Sequence, residues 1–237
     1  LHAAARRVMP GGNTRTVLFW SPFPISMVRG EGARLWDADG RAYTDMLGEY
    51  TAGLFGHSEK RILDAAKAAM DTGINLAGAG AKEVRFAELV CARFPSIDRV
   101  RFTNSGTEAN IMALSAARAF TGRAEIMVAR GGYHGGVMTF AAGQSPVNLP
   151  VPTRFMEYND IAGSVAAIRE AGDKLAAVLL EPMLGSGGCI PATRDFLAAL
   201  REVCTETGAL RIFDEVMASR HAEGRLQQRL GVTPDMT

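Results

Sequence analysis

From Asp98 onward, short apolar runs alternate with amphipathic stretches of helical length, and this alternation limits the possible folds more than any other feature. The predicted strands are "RVRFT", "EIMVA", "TRFMEY", "LAAVLLE" and "ALRIFDEV". The predicted helices cover residues 106–120, 160–171 and 193–207, and a glycine-rich loop follows "EIMVA". Short apolar strands separated by helices of about ten to fifteen residues indicate an α/β domain with a mainly parallel sheet and flanking helices.

The part before this alternation has a different pattern. From Ile25 to Met46, short runs are separated by glycine-containing turns, which predicts a small antiparallel meander. Apolar residues at helical spacing then predict helices over residues 59–71 and 82–94. We therefore expect an N-terminal segment with the meander over residues 1–50 and a large domain over residues 51–237.

The composition restricts the kinds of partner. The 237 residues are 47% hydrophobic and carry 26 basic against 25 acidic side chains, so no strong field favours nucleic acid or a membrane surface. Small molecules are the expected partners. Cys91, Cys189 and Cys204 are far apart and odd in number, which argues against disulfides and a zinc site. With no apolar run of roughly 18 residues and no signal-like start, a cytoplasmic location is expected.

Ligands of parallel sheets bind at the carboxyl ends of the strands, and three predicted strand ends carry unusual residues. The first is "RFTNSGTEAN", residues 101–110. Ser105 followed by Glu108 matches a capping box, in which a helix start satisfies its own amides. Ser105, Gly106 and Thr107 also offer two hydroxyls and a helix N-terminus that attracts an anion. The residues alone leave both interpretations open.

The second strand end is "RGGYHGG", residues 130–136. Four glycines let the backbone approach a flat ligand, on which Tyr133 can stack. A surface turn with an incidental tyrosine is the alternative. His134 is as compatible with a structural histidine as with a catalytic one, so this pattern alone assigns it no role.

The third strand end is "LRIFDEVM", residues 210–217. Asp214 and Val216 are two residues apart and share a face, while Glu215 points the other way. A buried carboxylate at Asp214 requires a cation, a metal or a hydrogen-bond donor as partner. A magnesium-binding Walker site needs a GxxxxGK[ST] loop, but the chain contains no Gly-Lys pair. It also lacks GxGxxG, which disfavours a dinucleotide site.

Pyridoxal 5'-phosphate (PLP) satisfies all three strand ends at once. Its phosphate suits the helix start at Ser105, its ring fits between Tyr133 and Val216, and its ring nitrogen pairs with Asp214. An ionised Asp214 keeps that nitrogen protonated and the ring electron-withdrawing.

Seven motifs together resemble a known family over essentially the whole chain. They are "FTNSGTEAN", "GGYHGG", "VLLEPMLGSGG", "IFDEVM", "PGGNTRTVLF", "GEYTAG" and "GINLAG". They resemble the class III aminotransferases of PLP fold type I, in the branch of the β-phenylalanine and other β-amino acid aminotransferases and of glutamate-1-semialdehyde aminomutase. The resemblance implies a fold type I large domain, incomplete in this chain, plus an N-terminal small-domain segment, with the C-terminal part of the family fold absent.

The resemblance also implies residue roles. Tyr133 and Asp214 are the implied catalytic residues. The implied cofactor-binding residues are Ser105, Gly106, Thr107, Tyr133, His134, Glu181, Asp214 and Val216. Arg15 would hold the substrate carboxylate through its planar fork and Tyr50 would line the pocket, although with 22 arginines a solvated Arg15 is the alternative. Ser186 stands where several ω-amino acid aminotransferases carry Glu, which argues against ornithine- or GABA-type specificity.

The implied reaction is ping-pong amino transfer from a β-amino acid, such as an aromatic one, to 2-oxoglutarate or pyruvate, by a homodimer. An aminomutase and a non-catalytic PLP- or phosphate-binding fragment are the alternatives. The family's Schiff-base lysine follows "DEV…TPD", and this chain has no lysine there. The pattern around the four lysines of the chain, Lys60, Lys67, Lys82 and Lys174, indicates solvated charges, so none of them suits the Schiff-base role. We therefore expect a fragment, or the ordered part, of a longer chain.

Overall fold

The computed structural model describes residues 1–74 and 76–237, so Asn75 of the "GINLAG" motif lies outside the described residues. The chain divides into two compact units, Leu1–Gly78 and Ala79–Thr237. The domain boundary after residue 50 stays a prediction.

The N-terminal unit is built on a three-stranded antiparallel sheet in the order β1-β2-β3. Its strands and α-helices are α1 (His2–Val8), β1 (Met27–Glu31), β2 (Arg34–Asp37), β3 (Ala42–Thr44) and α2 (Lys60–Met70), with 3₁₀ turns at Pro10–Gly12 and Thr16–Leu18. The predicted meander and the helix predicted over residues 59–71 are confirmed. The helix α2 begins after Glu59, whose carboxylate accepts a hydrogen bond from the Ile62 N–H at 3.0 Å.

The second unit contains a four-stranded parallel sheet in the order β5-β4-β6-β9. Its elements are α3 (Ala81–Arg93), α4 (Gly106–Thr121), β4 (Glu125–Ala129), β5 (Thr153–Met156), α5 (Ile161–Ala171), β6 (Leu175–Leu180), β7 (Met183–Leu184), β8 (Ile190–Pro191), α6 (Arg194–Thr207), β9 (Leu210–Phe213) and α7 (Arg225–Leu230), with 3₁₀ turns at Gly172–Lys174 and Ala218–Arg220. Strands β7 and β8 form a separate antiparallel pair. The predicted α/β class and parallel sheet are confirmed.

One predicted strand is wrong. The segment "RVRFT", residues 99–103, has no strand assignment, and no sheet strand in the described ranges pairs with it. Its alternation of basic and apolar residues suits an extended chain, but a strand requires a hydrogen-bonded neighbour. Phe102 instead stacks on Phe86 of α3, with ring centroids 4.8 Å apart, and 38% of Phe102 stays exposed.

Helices cover both faces of the parallel sheet, which explains why β6 reads as six consecutive apolar residues, all of them buried. On one face, α5 and α6 contribute Ile168, Phe196 and Leu200 to a core with Leu180. On the other face, α4 packs Leu114 and Ala117 against β4, β6 and β9. No helix within the described ranges has both the length and the apolar character needed to cross a membrane.

We predict that Phe196→Ala lowers the free energy of unfolding by about 3–5 kcal/mol, because it leaves a cavity where a fully buried ring was. Phe120→Ala is the matched control, since 82% of Phe120 is exposed, and its effect should stay within about 0.5 kcal/mol. Urea unfolding followed by circular dichroism measures both. Equal destabilisation by the two substitutions would contradict this account of the core.

Candidate active site

The start of α4 is capped by its own residues and still leaves amides available. The Ser105 Oγ accepts a hydrogen bond from the Glu108 N–H at 3.1 Å, and a Glu108 carboxylate oxygen accepts one from the Asn104 N–H at 2.9 Å. In the described part of the chain, the N–H groups of Gly106 and Thr107 have no partner. The capping interpretation therefore holds, and two amides with the positive end of the helix dipole remain for an anion.

Two close approaches bring the three strand-end segments together. A Cβ added at Gly135 would lie 2.0 Å from the Thr107 Oγ1, so the 130–136 loop passes directly against the first turn of α4. Gly135 also has a φ of +121°, a conformation that favours glycine. A Cβ added at Gly106 would lie 3.1 Å from a methyl carbon of Val216. The helix start thus contacts the segments that carry Tyr133 and Asp214.

Asp214 is a buried carboxylate with three hydrogen-bond partners, and 9% of the residue is exposed. Its Oδ2 accepts from the Asn110 amide at 2.7 Å and lies 2.9 Å from the His134 Nδ1, while its Oδ1 accepts from the Val216 N–H at 3.1 Å. Burial alone would raise the pKa of Asp214, but the hydrogen bond and charge of His134, with the Val216 and Asn110 donors, outweigh burial and lower that pKa. Asp214 is therefore an anion at neutral pH.

His134 is the buried neighbour of this anion, and its side chain is fully shielded from solvent. Because an ionised carboxylate only accepts hydrogen bonds, Nδ1 carries the proton in the contact with Asp214. The backbone of the same loop is held too, since the His134 carbonyl accepts a second hydrogen bond from the Asn110 amide at 3.2 Å.

Asn110 is the residue that the sequence reasoning missed. It stands inside the quoted motif "FTNSGTEAN" but received no role. In α4 the buried positions are Asn110, Leu114 and Ala117, which follow the i, i+4, i+7 spacing of an inward face. A polar side chain within an apolar stripe needs a partner. That signal was available in the sequence, and the structure shows that the partner is Asp214.

Glu181 is buried and accepts hydrogen bonds from the backbones of two connecting segments. One carboxylate oxygen accepts from the Tyr133 N–H at 3.0 Å and the other from the Gly185 N–H at 2.9 Å. Burial raises the pKa of Glu181 above its ordinary value, although these two N–H groups oppose the shift. Glu181 thus joins the loop that follows β4 to the connection between β7 and β8. Its sequence-based assignment as a cofactor-binding residue stays a prediction.

The carboxylate next in sequence, Glu215, is turned away from this group. It accepts hydrogen bonds from the Leu226 and Gln227 N–H groups and from the Gln227 amide, at 2.8, 3.1 and 2.7 Å. Asp214 and Glu215 therefore point to opposite sides, in the directions expected from strand alternation. Glu215 anchors the start of α7.

The arrangement has the features that bound PLP requires. Within residues 1–74 and 76–237, Asp214 Oδ1 has a single donor, and it can accept a second hydrogen bond from a protonated ring nitrogen. Side chains suited to the two ring faces remain accessible, since 39% of Tyr133 and 56% of Val216 are exposed. A cavity of about 360 Å³ opens beside Asp214 and is bounded by Gly106, Asn110 and Val216 among other residues. The residues present fit the cofactor.

In the N-terminal unit the structure brings the segments of Arg15 and Tyr50 together. The Tyr50 hydroxyl donates a hydrogen bond to the Val17 carbonyl at 2.8 Å. Glu49, Tyr50 and Thr51 have positive φ angles of 49°, 55° and 78°, a conformation that costs about 1–3 kcal/mol for each such residue. The surrounding contacts must therefore hold this loop in place.

The lysines lie where the sequence analysis expected them. Lys60 and Lys67 are exposed on α2 and Lys82 is exposed on α3. Lys174 is exposed just before β6, at the edge of the sheet opposite the carboxyl ends of the strands.

Comparison with known proteins agrees with this geometry. The family model described as aminotransferase class III matches residues 20–237. The chain belongs to the class III aminotransferases. Its parallel sheet with helices on both faces is the large-domain architecture of PLP fold type I.

Several relatives are similar over nearly all of this chain. The β-phenylalanine transaminase of Variovorax paradoxus is 54% identical over 234 residues, which are 99% of this chain and 54% of the relative, and its crystal structure matches with a TM-score of 0.96. A transaminase structure with PLP bound is 36% identical, with a TM-score of 0.92, over 99% of this chain and 59% of that one. The glutamate-1-semialdehyde 2,1-aminomutase of Sorangium cellulosum is 39% identical over 98% of this chain and 57% of the relative. The chain spans about half the length of the curated relatives that it matches.

Gly135→Ala should weaken both folding and cofactor binding for two reasons. The new methyl group would collide with Thr107, and residue 135 has a positive φ that alanine rarely adopts. We expect a loss of at least about 1 kcal/mol in stability and a clear rise in the Kd for PLP. Gly136→Ala is the matched control, since a Cβ there meets nothing within 4 Å. Thermal unfolding and PLP titration by absorbance measure both effects. A neutral Gly135→Ala variant would disprove the close contact.

Proposed function

We propose that this protein takes part in PLP-dependent transfer of an amino group from a β-amino acid, such as an aromatic one, to a 2-oxo acid. The observation that carries the proposal is the buried Asp214 anion, with His134 and Asn110 on one oxygen and room for a further donor on the other. The similarity to a β-phenylalanine transaminase over 99% of the chain supports the substrate class.

The residues of the candidate site have defined tasks in the proposed reaction. Asp214 would accept a hydrogen bond from the protonated ring nitrogen and keep that nitrogen charged, while Tyr133 and Val216 would contact the two ring faces. The free N–H groups of Gly106 and Thr107 bind the phosphate, together with the hydroxyls of Ser105 and Thr107. Bound PLP supplies an electron sink that stabilises negative charge at the substrate carbon bearing the amino group.

The substrate carboxylate is assigned to Arg15. Its exposed guanidinium forms no hydrogen bond or ion pair with residues 1–74 or 76–237, and a planar guanidinium binds a carboxylate through two parallel hydrogen bonds. Tyr50 would form a wall of the same pocket, and 36% of it is exposed. The acceptor is 2-oxoglutarate or pyruvate, and the two half-reactions alternate in a ping-pong sequence.

The proposal includes a homodimer in the cytoplasm. Large apolar side chains of α3 remain exposed, including Val84, Phe86 and Leu89, and this supports burial against a second subunit. The three free cysteines support a reducing compartment.

The decisive assay supplies the full-length, PLP-loaded protein with β-phenylalanine and either 2-oxoglutarate or pyruvate. We expect chromatography to detect glutamate or alanine, formed together with the keto product of β-phenylalanine. An aminomutase would form no new amino acid from the acceptor, and a non-catalytic PLP-binding protein would consume neither substrate. Either result would refute the proposed transfer.

We predict that Asp214→Asn retains PLP but lowers kcat by about 100-fold or more, because a neutral amide no longer favours the protonated ring nitrogen. Asp195→Asn is the matched control, since Asp195 lies in the first turn of α6, outside the site. Absorbance gives the PLP content and the transfer assay gives kcat. Full activity in Asp214→Asn would exclude Asp214 as the ring-nitrogen partner.

A further inference from the structure

The loop between β3 and α2 of the N-terminal unit has an unusual backbone. Gly48, Glu49, Tyr50 and Thr51 are four consecutive residues with positive φ angles, and three of them are not glycine. Non-glycine residues rarely occupy this region, so a run of them requires surrounding contacts that determine the conformation. Tyr50 stands within this run.

A hydrogen-bonded His–Asp pair joins the two ends of the loop. The Asp45 Oδ2 lies 2.8 Å from the His57 Nε2, and 8% of the Asp45 side chain and 21% of the His57 side chain are exposed. The other Asp45 oxygen accepts hydrogen bonds from the Leu47 and Gly48 N–H groups, both at 2.9 Å. The Gly48 N–H, followed by the His57 hydrogen bond, lowers the pKa of Asp45, which is therefore ionised at neutral pH.

The same pair is anchored to the antiparallel sheet. The backbones of His57 and Gly32 exchange two hydrogen bonds, of 2.8 and 2.9 Å. The His57 ring lies against Gly30 of β1, where a Cβ would approach the ring to 2.7 Å. The loop therefore starts and ends on residues that are anchored to the sheet.

Tyr50 connects this anchored loop to the segment that carries Arg15. Its hydroxyl donates to the Val17 carbonyl at 2.8 Å. The Arg15 backbone is held on both sides, because its N–H donates to the Asn13 Oδ1 and its carbonyl accepts from the Leu18 N–H, each at 3.0 Å. Among the contacts of the described residues, the Tyr50 hydrogen bond ties this short turn to the supported loop.

We propose that Tyr50 is a positioning residue for Arg15, and that Asp45 and His57 hold Tyr50 in that role, so that these three residues set where the substrate carboxylate binds. This inference rests on the proposed function, in which Arg15 binds that carboxylate. It assigns a task to the Tyr50 hydroxyl beyond lining a pocket. It also assigns one to a His–Asp pair that has no place in the proposed chemistry.

The test uses the full-length, PLP-loaded enzyme and two measurements. One is KM and kcat for β-phenylalanine, and the other is the Kd of 3-phenylpropanoate, which has the carboxylate but no amino group, measured by calorimetry. Tyr50→Phe removes only the hydroxyl. We expect KM and the Kd to rise about tenfold while kcat changes by less than about twofold, because positioning of the arginine affects carboxylate binding.

Three sets of variants separate positioning from general stability. Tyr43→Phe is the matched control, since the Tyr43 hydroxyl donates to the buried Asp37 at 2.7 Å in the same unit, and it should change neither constant. His57→Ala should reproduce the effect of Tyr50→Phe, and His57→Gln, which keeps a donor for Asp45, should restore most of the binding. In an Arg15→Ala background, Tyr50→Phe should add nothing, because no guanidinium remains to be positioned.

Three results would overturn the inference. They are an unchanged Kd for 3-phenylpropanoate in Tyr50→Phe, an equal loss in Tyr43→Phe, and a Tyr50→Phe effect that persists undiminished without Arg15. Failure of the proposed function is a different observation, namely that the wild-type enzyme forms no product from β-phenylalanine. In that case the 3-phenylpropanoate titrations still decide whether the Tyr50 hydroxyl positions Arg15.

Discussion

The hydrogen-bonded carboxylate of Asp214 is the interaction on which the candidate site depends. An isolated buried anion is strongly unfavourable, so the fold must supply donors from other segments. Asn110 comes from the middle of α4, His134 from the loop after β4, and the Val216 N–H from the chain just beyond β9. Because each donor comes from a different segment, loss of the carboxylate charge would weaken the contacts that hold these segments together.

The parallel sheet brings the segments that carry these donors close to Asp214. Strands β4, β6 and β9 are neighbours with aligned register, so their carboxyl ends open on one edge. Glu181 then joins the loop after β4 to the connection between β7 and β8, and Gly135 lets the loop after β4 contact Thr107 of α4. The site is thus a set of loops on a rigid support, as in other parallel α/β proteins.

Much of the fold followed from hydrophobic periodicity. The strand "LAAVLL" is buried on both faces and α6 carries a well-defined apolar face, so both were recognisable without a structure. The segment "RVRFT" has an equally strand-like pattern, yet it is not a strand, because pairing depends on a neighbour that local sequence does not specify. Asn110 was missed for a related reason. Its spacing marked it as inward-facing, but only the tertiary contact identified Asp214 as its partner.

The amino-acid sequence by itself determined the α/β class, the capping of α4 by Ser105, and the residue types suited to a phosphate, a flat ring and a protonated nitrogen. These depend on local spacing, which a linear pattern records. Only the tertiary structure decided that His134 and Asn110 share one oxygen of Asp214, that Glu181 joins two loops, and that the Tyr50 hydroxyl bonds the Val17 carbonyl near Arg15. Such contacts join residues tens of positions apart, and their geometry is set by the packing of whole elements.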